Sequence, residues 1–345
     1  MRHRIRLKLL LAPLLLLAAC REGVPGPQLP FTEVAAPAYF PEAQYRFEKN
    51  PLTQKGFELG RRLFYDPILS IDSTVSCASC HKQSAAFSDP GLALSPGVNG
   101  LKGTRNSPAL FNLAWNKAFM WDGGVNHIEI MPLAPITNPV EMNQKLSHLM
   151  ARLKAHPEYP RQFREAFGKE EIDDQQFFYA LAQFMGNMVS ANAPYDEFRQ
   201  GIRPLSASEE AGRLLFEQTC STCHATALFT DHSYHNNGLE SNPSDTGLER
   251  IDLNPASRGK FKTPSLRNIA LTAPYMHDGR FQTLREVLDF YDSGVKVSPT
   301  LDPALNAGPR PGIPLTEADK QHLLSFLNCL TDSVFVSNPM YQAPR

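Results

Sequence analysis

Cys77-Ala78-Ser79-Cys80-His81 and Cys220-Ser221-Thr222-Cys223-His224 decide how the rest of this 345-residue chain is read. Each is a C-x-x-C-H, the attachment signature of a c-type haem. Thiols three residues apart lie on one side of a helical turn, where each can add to a porphyrin vinyl group, and the following histidine can reach the iron. Two motifs predict two covalent haem c groups. Cys77 and Cys80 would hold one with His81 on its iron, and Cys220 and Cys223 the other with His224. The rival readings fail on spacing and setting. Zinc ribbons bring their cysteine pairs within roughly 15–20 residues of each other, whereas most of a domain separates these. A thioredoxin-like redox pair needs a βαβ context, which the flanking sequence lacks. Cys329 lies in the apolar run Leu323-Leu324-Ser325-Phe326-Leu327-Asn328-Cys329-Leu330 and reads as a buried helix residue.

Outward from the motifs the chain repeats itself. Gly60-Arg61-Arg62-Leu63-Phe64 precedes the first and Gly212-Arg213-Leu214-Leu215-Phe216 the second, both on helical patterns. Ser206 and Glu209 form a capping box that starts the second of these helices. After each motif comes an amphipathic helix, expected over about residues 174–189 and 316–330. A Gly-x-x-x-Phe helix, a C-x-x-C-H turn and a late apolar helix resemble the cytochrome c fold, whose first and last helices cross at the glycine. The expected fold is mostly α: two tandem cytochrome c-like domains, residues 51–203 and 204–333, with a tail over 334–345. The 29 prolines predict long loops. A second element of the repeat has a constant offset of 156. Ser107-Pro108-Ala109-Leu110-Phe111-Asn112 pairs with Thr263-Pro264-Ser265-Leu266-Arg267-Asn268, and Phe119-Met120-Trp121-Asp122-Gly123 with Tyr275-Met276-His277-Asp278-Gly279.

The N-terminus reads as an export signal. Arg2, Arg4, Arg6 and Lys8 precede an apolar run from Leu9 to Ala19 that is too short to span a bilayer. It ends Leu17-Ala18-Ala19-Cys20, which resembles a bacterial lipobox. Residues 1–20 are therefore expected to be a lipoprotein signal with Cys20 lipidated, followed by a tether over 21–50. The alternative is ordinary cleavage with Cys20 left free. The expected location is periplasmic, with membrane contact only through the lipid. The full chain carries 34 basic and 35 acidic residues, a balance that excludes a polycationic nucleic-acid binder.

The ordered motifs C-x-x-C-H, Arg105-Asn106-Ser107-Pro108, Trp121-Asp122-Gly123, Val140-Glu141-Met142, C-x-x-C-H, Pro264-Ser265-Leu266-Arg267-Asn268 and Pro274-Tyr275-Met276-His277-Asp278-Gly279 resemble the bacterial dihaem cytochrome c peroxidases. They also resemble a relative, the methylamine-utilisation dihaem enzyme that matures tryptophan tryptophylquinone. The likeness implies that peroxide reacts at the N-terminal haem while the C-terminal haem relays electrons. It implies roles for Glu141, as the distal acid/base moving a proton between the peroxide oxygens, and for Trp121, as an electron bridge between the haems. It also implies an interdomain calcium site from Asn106 and the backbone carbonyls of Thr272 and Pro274. His232 and His235 suggest a metal pair, but a polar loop at the haem edge is the preferred reading.

Departures from the family are informative. Many members cap the first haem with a histidine from the loop before Arg-Asn-Ser-Pro. Residues 89–103 contain neither His nor Met, so an open sixth position is expected. Fourteen residues after His277, where peroxidases supply a Met to the second iron, stands Tyr291, the ligand type of the tryptophylquinone-maturing enzyme; its repeat mate is Pro135. Met276 is the rival ligand. Gly124 and Met131 replace the usual Arg and Gln. The reading is a peroxidase that reduces hydrogen peroxide with electrons from a small c-type cytochrome or cupredoxin. The alternatives are a tryptophylquinone-type enzyme oxidising a protein side chain, a plain dihaem electron carrier, and a peroxide sensor. Oligomeric state is not legible in the sequence.

Overall fold

The computed structural model describes residues 34–169 and 171–344. The signal and Cys20 lie outside them. The described chain is mostly helical. In order come α1 (Gln54–Tyr65), α2 (Cys77–Cys80), α3 (Leu133–Thr137), α4 (Leu146–Ala155), α5 (Tyr159–Phe167), α6 (Asp174–Gly186), α7 (Pro194–Arg199) and α8 (Ala207–Thr219). After them come α9 (Glu249–Asp252), α10 (Leu284–Asp289), α11 (Glu317–Asn328) and α12 (Ser333–Ser337). Two short strands, β1 (Tyr234–His235) and β2 (Phe261–Lys262), pair antiparallel, Tyr234 opposite Lys262. No described helix is long and apolar enough to cross a membrane.

Two helix crossings organise the interior, and glycine makes each possible. A Cβ added at Gly60 of α1 would lie 1.9 Å from the Ala180 carbonyl oxygen on α6, and one at Gly212 of α8 would lie 2.0 Å from His322 O on α11. Any side chain there would hold the backbones apart. Four residues on, Phe64 and Phe216 are buried, each against a phenylalanine of the crossing helix: Phe64–Phe184 at 5.2 Å and Phe216–Phe326 at 5.2 Å between centroids. Each crossing seeds its own apolar cluster. The ends are capped as the side chains dictate. Ser206 and Glu209 exchange reciprocal side-chain to backbone bonds at the start of α8, and Thr316 with Asp319 does the same at α11.

α6 stops at Gly186, short of the expected residue 189. Met188 O instead accepts from Asn112 N at 2.8 Å, and Ser190 N donates to Asn112 Oδ1 at 2.9 Å, so the chain leaves the helix to clasp the repeat segment. Part of the expected tether is packed, with Phe40 buried and Trp115 Nε1 bonded to Pro41 O at 2.7 Å. The expected tail is packed too. Phe335 and Tyr341 belong to the first apolar cluster, because the chain turns back after α11.

The repeat is equally visible in the backbone. Phe119 N bonds Val125 O at 2.7 Å, and Tyr275 N bonds Phe281 O at 2.7 Å. Asn112 and Asn268 are both left-handed, as are Met120 and Met276. Across the junction the halves grip each other reciprocally. Asn106 N donates to His277 O at 2.7 Å and Lys262 N to Trp121 O at 2.8 Å.

Candidate active site

One cavity of about 790 Å³ runs through the interior and is lined by both C-x-x-C-H motifs. Both turns close alike, with His81 N bonded to Cys77 O at 3.0 Å and His224 N to Cys220 O at 3.0 Å. His81 Nδ1 lies 2.8 Å from Phe87 O, and His224 Nδ1 lies 3.1 Å from Phe229 O. A carbonyl only accepts, so Nδ1 carries the hydrogen and Nε2 keeps its lone pair for iron. Burial lowers both imidazole pKa values and keeps the rings neutral. Phe87 and Phe229 aim these carbonyls from left-handed backbone, φ 60° and 54°, a conformation that costs energy away from glycine. Burial raises the Cys77 thiol to about 12 and Cys220 to about 11, as suits sulfurs enclosed in an apolar slot. The cavity, its thiol pairs and its pre-set imidazoles fit two covalently attached haems.

Glu141 lines this cavity and is half-buried. Burial raises its pKa, against a 2.6 Å hydrogen bond from Asn138 Nδ2 to Oε1 that lowers it. Loop 89–103 covers it. Val98 N donates to Glu141 O at 2.7 Å, and Gly97 fits so tightly that a Cβ would lie 2.2 Å from Val140 O. The covering loop therefore packs its backbone against that of Val140 and Glu141. Its Asp89 is held by Lys82 Nζ at 2.6 Å and Ser95 Oγ at 2.7 Å.

Trp121 lines the same cavity, its Nε1 bonded to Asn106 O at 2.8 Å. Asn106 Nδ2 donates to Leu92 O (3.2 Å) and Ala93 O (3.1 Å). Thr272 and Pro274 share the wall with it. Tyr291 occupies a π-helical turn, Phe290–Gly294, directly after α10. Such turns are frequent at functional sites. Burial raises its hydroxyl to about 12. Asn237 Nδ2 stands 3.4 Å from Tyr291 Oη and 3.5 Å from Met276 Sδ, so both rival ligands reach one carboxamide. His235 has both ring nitrogens engaged, by Asp302 at 2.6 Å and Asp231 at 2.9 Å, which leaves no lone pair for a metal pair with His232.

The family model for the di-haem cytochrome c peroxidases matches residues 54–203. A methylamine utilization protein MauG from Methylorubrum extorquens is 39% identical over 295 residues, 84% of this chain and 82% of that protein. The chain belongs to the dihaem cytochrome c peroxidase family. Cytochrome-c peroxidase IdrP2 of Denitromonas iodatirespirans is 33% identical, covering 79% of this chain and 81% of that one. Among solved structures, a MauG-like protein associated with microbial copper homeostasis superposes with a TM-score of 0.83 at 33% identity, over 90% of this chain and 98% of that chain.

As a dihaem peroxidase the chain carries two c-type haems, and its substrate is hydrogen peroxide. Both C-x-x-C-H motifs, Glu141, Trp121 and Tyr291 line one cavity. What sequence reasoning missed is the support around them. The Phe87 and Phe229 carbonyls act through backbone and leave no mark in side-chain identity. Asn237 and Lys262 also went unnoticed, although Lys262 could have been found as the repeat mate of Asn106.

Proposed function

We propose that this dihaem peroxidase reduces peroxide at the first haem, with Glu141 as its acid/base and electrons entering from a small periplasmic c-type cytochrome or cupredoxin. Two electrons and two protons convert one peroxide to two waters. The haems, when bound, supply the electrons and the iron at which peroxide reacts. Glu141 takes a proton from one peroxide oxygen and returns it to the other, which then leaves as water. Its raised pKa favours holding that proton between the two events. The observation that carries the reading is a half-buried carboxyl under a loop without His or Met. Trp121, on the wall common to both motifs, is the proposed electron bridge. Steady-state peroxide consumption with reduced cytochrome c or a cupredoxin tests the reading. Turnover is expected, and its absence with every donor would overturn it.

The finer architecture belongs to the same proposal. Each half is a cytochrome c-like module meeting the other near residue 203, supported by the two glycine crossings. Export with a lipid on Cys20 rests on the lipobox, and labelling with palmitate tests it. A calcium ion at Asn106, Thr272 and Pro274 rests on oxygen donors that suit a hard cation.

One observation favours a second reading, oxidation of a protein side chain. Tyr291, not a Met, stands fourteen residues after His277. Met276 and Met120 share a left-handed turn in both halves, φ 73° and 66°, which supports a structural part for Met276. A phenolate ligand stabilises ferric iron and suits an enzyme that stores oxidising equivalents. Relatives named methylamine utilization protein MauG, at 34–39% identity, fit the resemblance to the methylamine-utilisation dihaem enzyme.

A further inference from the structure

The repeat changes chemistry outright at one matched pair. Asn106 and Lys262 are mates, 156 residues apart, and so are Trp121 and His277. The backbone of each mate makes the same bond across the junction, Asn106 N to His277 O and Lys262 N to Trp121 O. The two side chains thus start from equivalent points, one neutral and one charged.

Lys262 Nζ donates to Ala118 O at 2.7 Å. Among the described residues it has no carboxylate partner, and burial lowers its pKa to about 8. The arginines of the cavity wall are neutralised. Arg267 is clamped bidentate by Asp196 at 2.7 and 2.8 Å, and Arg105 by Asp245 at 2.7 Å through two nitrogens. Half-buried on the cavity wall, Lys262 also has its Nζ 5.9 Å from the centre of the Phe119 ring.

The mates of Asn116 and Ala118 are Thr272 and Pro274. Thr272 O, Pro274 O and Asn106 Oδ1 accept no hydrogen bond from any described residue. The Asn106 amide cannot flip to relieve this, because its oxygen would then face the carbonyls of Leu92 and Ala93. One half therefore brings a cation to the carbonyl of Ala118. The other brings three oxygens and no cation.

We propose that Lys262 is a tethered cation filling, in one half, the place that the repeat gives to a free calcium-type ion in the other, so that only the Asn106 junction depends on metal. The inference rests on the calcium reading above for its Asn106 arm alone. Oxygen-only donors suit a hard ion, and an ammonium on the matching carbonyl neutralises the same dipoles without exchange.

The test measures calcium content and thermal melting of the haem-loaded protein in calcium and after chelation. Wild type is expected to hold one calcium and to melt lower after chelation. Asn106→Lys should hold none and melt independently of chelator. Lys262→Asn should hold one calcium more than wild type and become more sensitive to chelation, whereas Lys262→Met should lose stability that calcium does not restore. If Asn106→Lys keeps its calcium, or Lys262→Asn gains neither metal nor calcium dependence, the proposal is wrong. Should Lys262→Asn fail to load haem, the Asn106→Lys result decides. A wild type without calcium overturns the calcium reading of Asn106; one calcium gained by Lys262→Asn would then still support the tethered cation, and none would sink it.

Discussion

In the proposed function Glu141 and Tyr291 carry the chemistry that distinguishes the two halves, and both are open to single substitutions. Glu141→Gln keeps the volume and the Asn138 contact but removes the proton shuttle. Turnover should fall by roughly 10²–10⁴-fold, as for other lost general acid–base groups, with haem content unchanged; near wild-type rates would return Glu141 to an ordinary loop carboxyl. Tyr291→Met replaces a hard oxygen donor by a neutral thioether and should raise the potential of the second haem, read by spectroelectrochemistry. Tyr291→Phe should alter only that haem's low-spin spectrum. If it does not, and Met276→Ala abolishes the same spectrum, the ligand is Met276. The attachment cysteines and their histidines are legible because chemistry fixes both residue type and spacing. The support around them is not. A carbonyl from Phe87 or Phe229 is set by φ, and Asp302 reaches His235 from 67 residues away, so neither partner is marked locally.

At the scale of elements, the Gly-x-x-x-Phe pattern told where helices cross because only glycine lets two helix backbones touch. Gly212→Ala must find room for a methyl 2.0 Å from His322 O. Overpacking of this kind costs roughly 1–3 kcal/mol. The variant should melt below wild type, with the second haem's spectrum disturbed more than the first's, and an unchanged melting curve would mean that the crossing is looser than described. The helix ends away from the caps were less legible. α6 has apolar residues through Val189 and ends at Gly186 because Asn112, far off in sequence, claims the backbone of Met188 and Ser190. Tertiary bonds of that sort override a local pattern.

For the whole molecule, the missing ligand in loop 89–103 predicts a resting enzyme that needs no activation. Fully oxidised protein should show one high-spin ferric haem and react with peroxide before any reduction. Two low-spin haems, inert until half-reduced, would contradict this. The halves are also held by charge, Arg105 to Asp245. Burial works to raise the Asp245 pKa, but the Arg105 hydrogen bonds prevail and hold it at about 2. A folded value below the unfolded one means stability present above pH about 4 that is lost as pH falls through about 2. Asp245→Asn should melt lower than wild type at neutral pH, converge on it as pH falls through about 2, and so flatten the melting temperature across that acid window.

The crosswise bonds from 106 to 277 and from 262 to 121 follow the rule of a two-fold dimer, in which i touches j and j touches i. An interface built that way is self-complementary before any linker exists. The chain therefore joins, end to end, two repeats that meet as the copies of a homodimer would. Once fused, each copy could change on its own, as Asn106 against Lys262 and Trp121 against His277 have done, without either having to reinvent how to hold its twin.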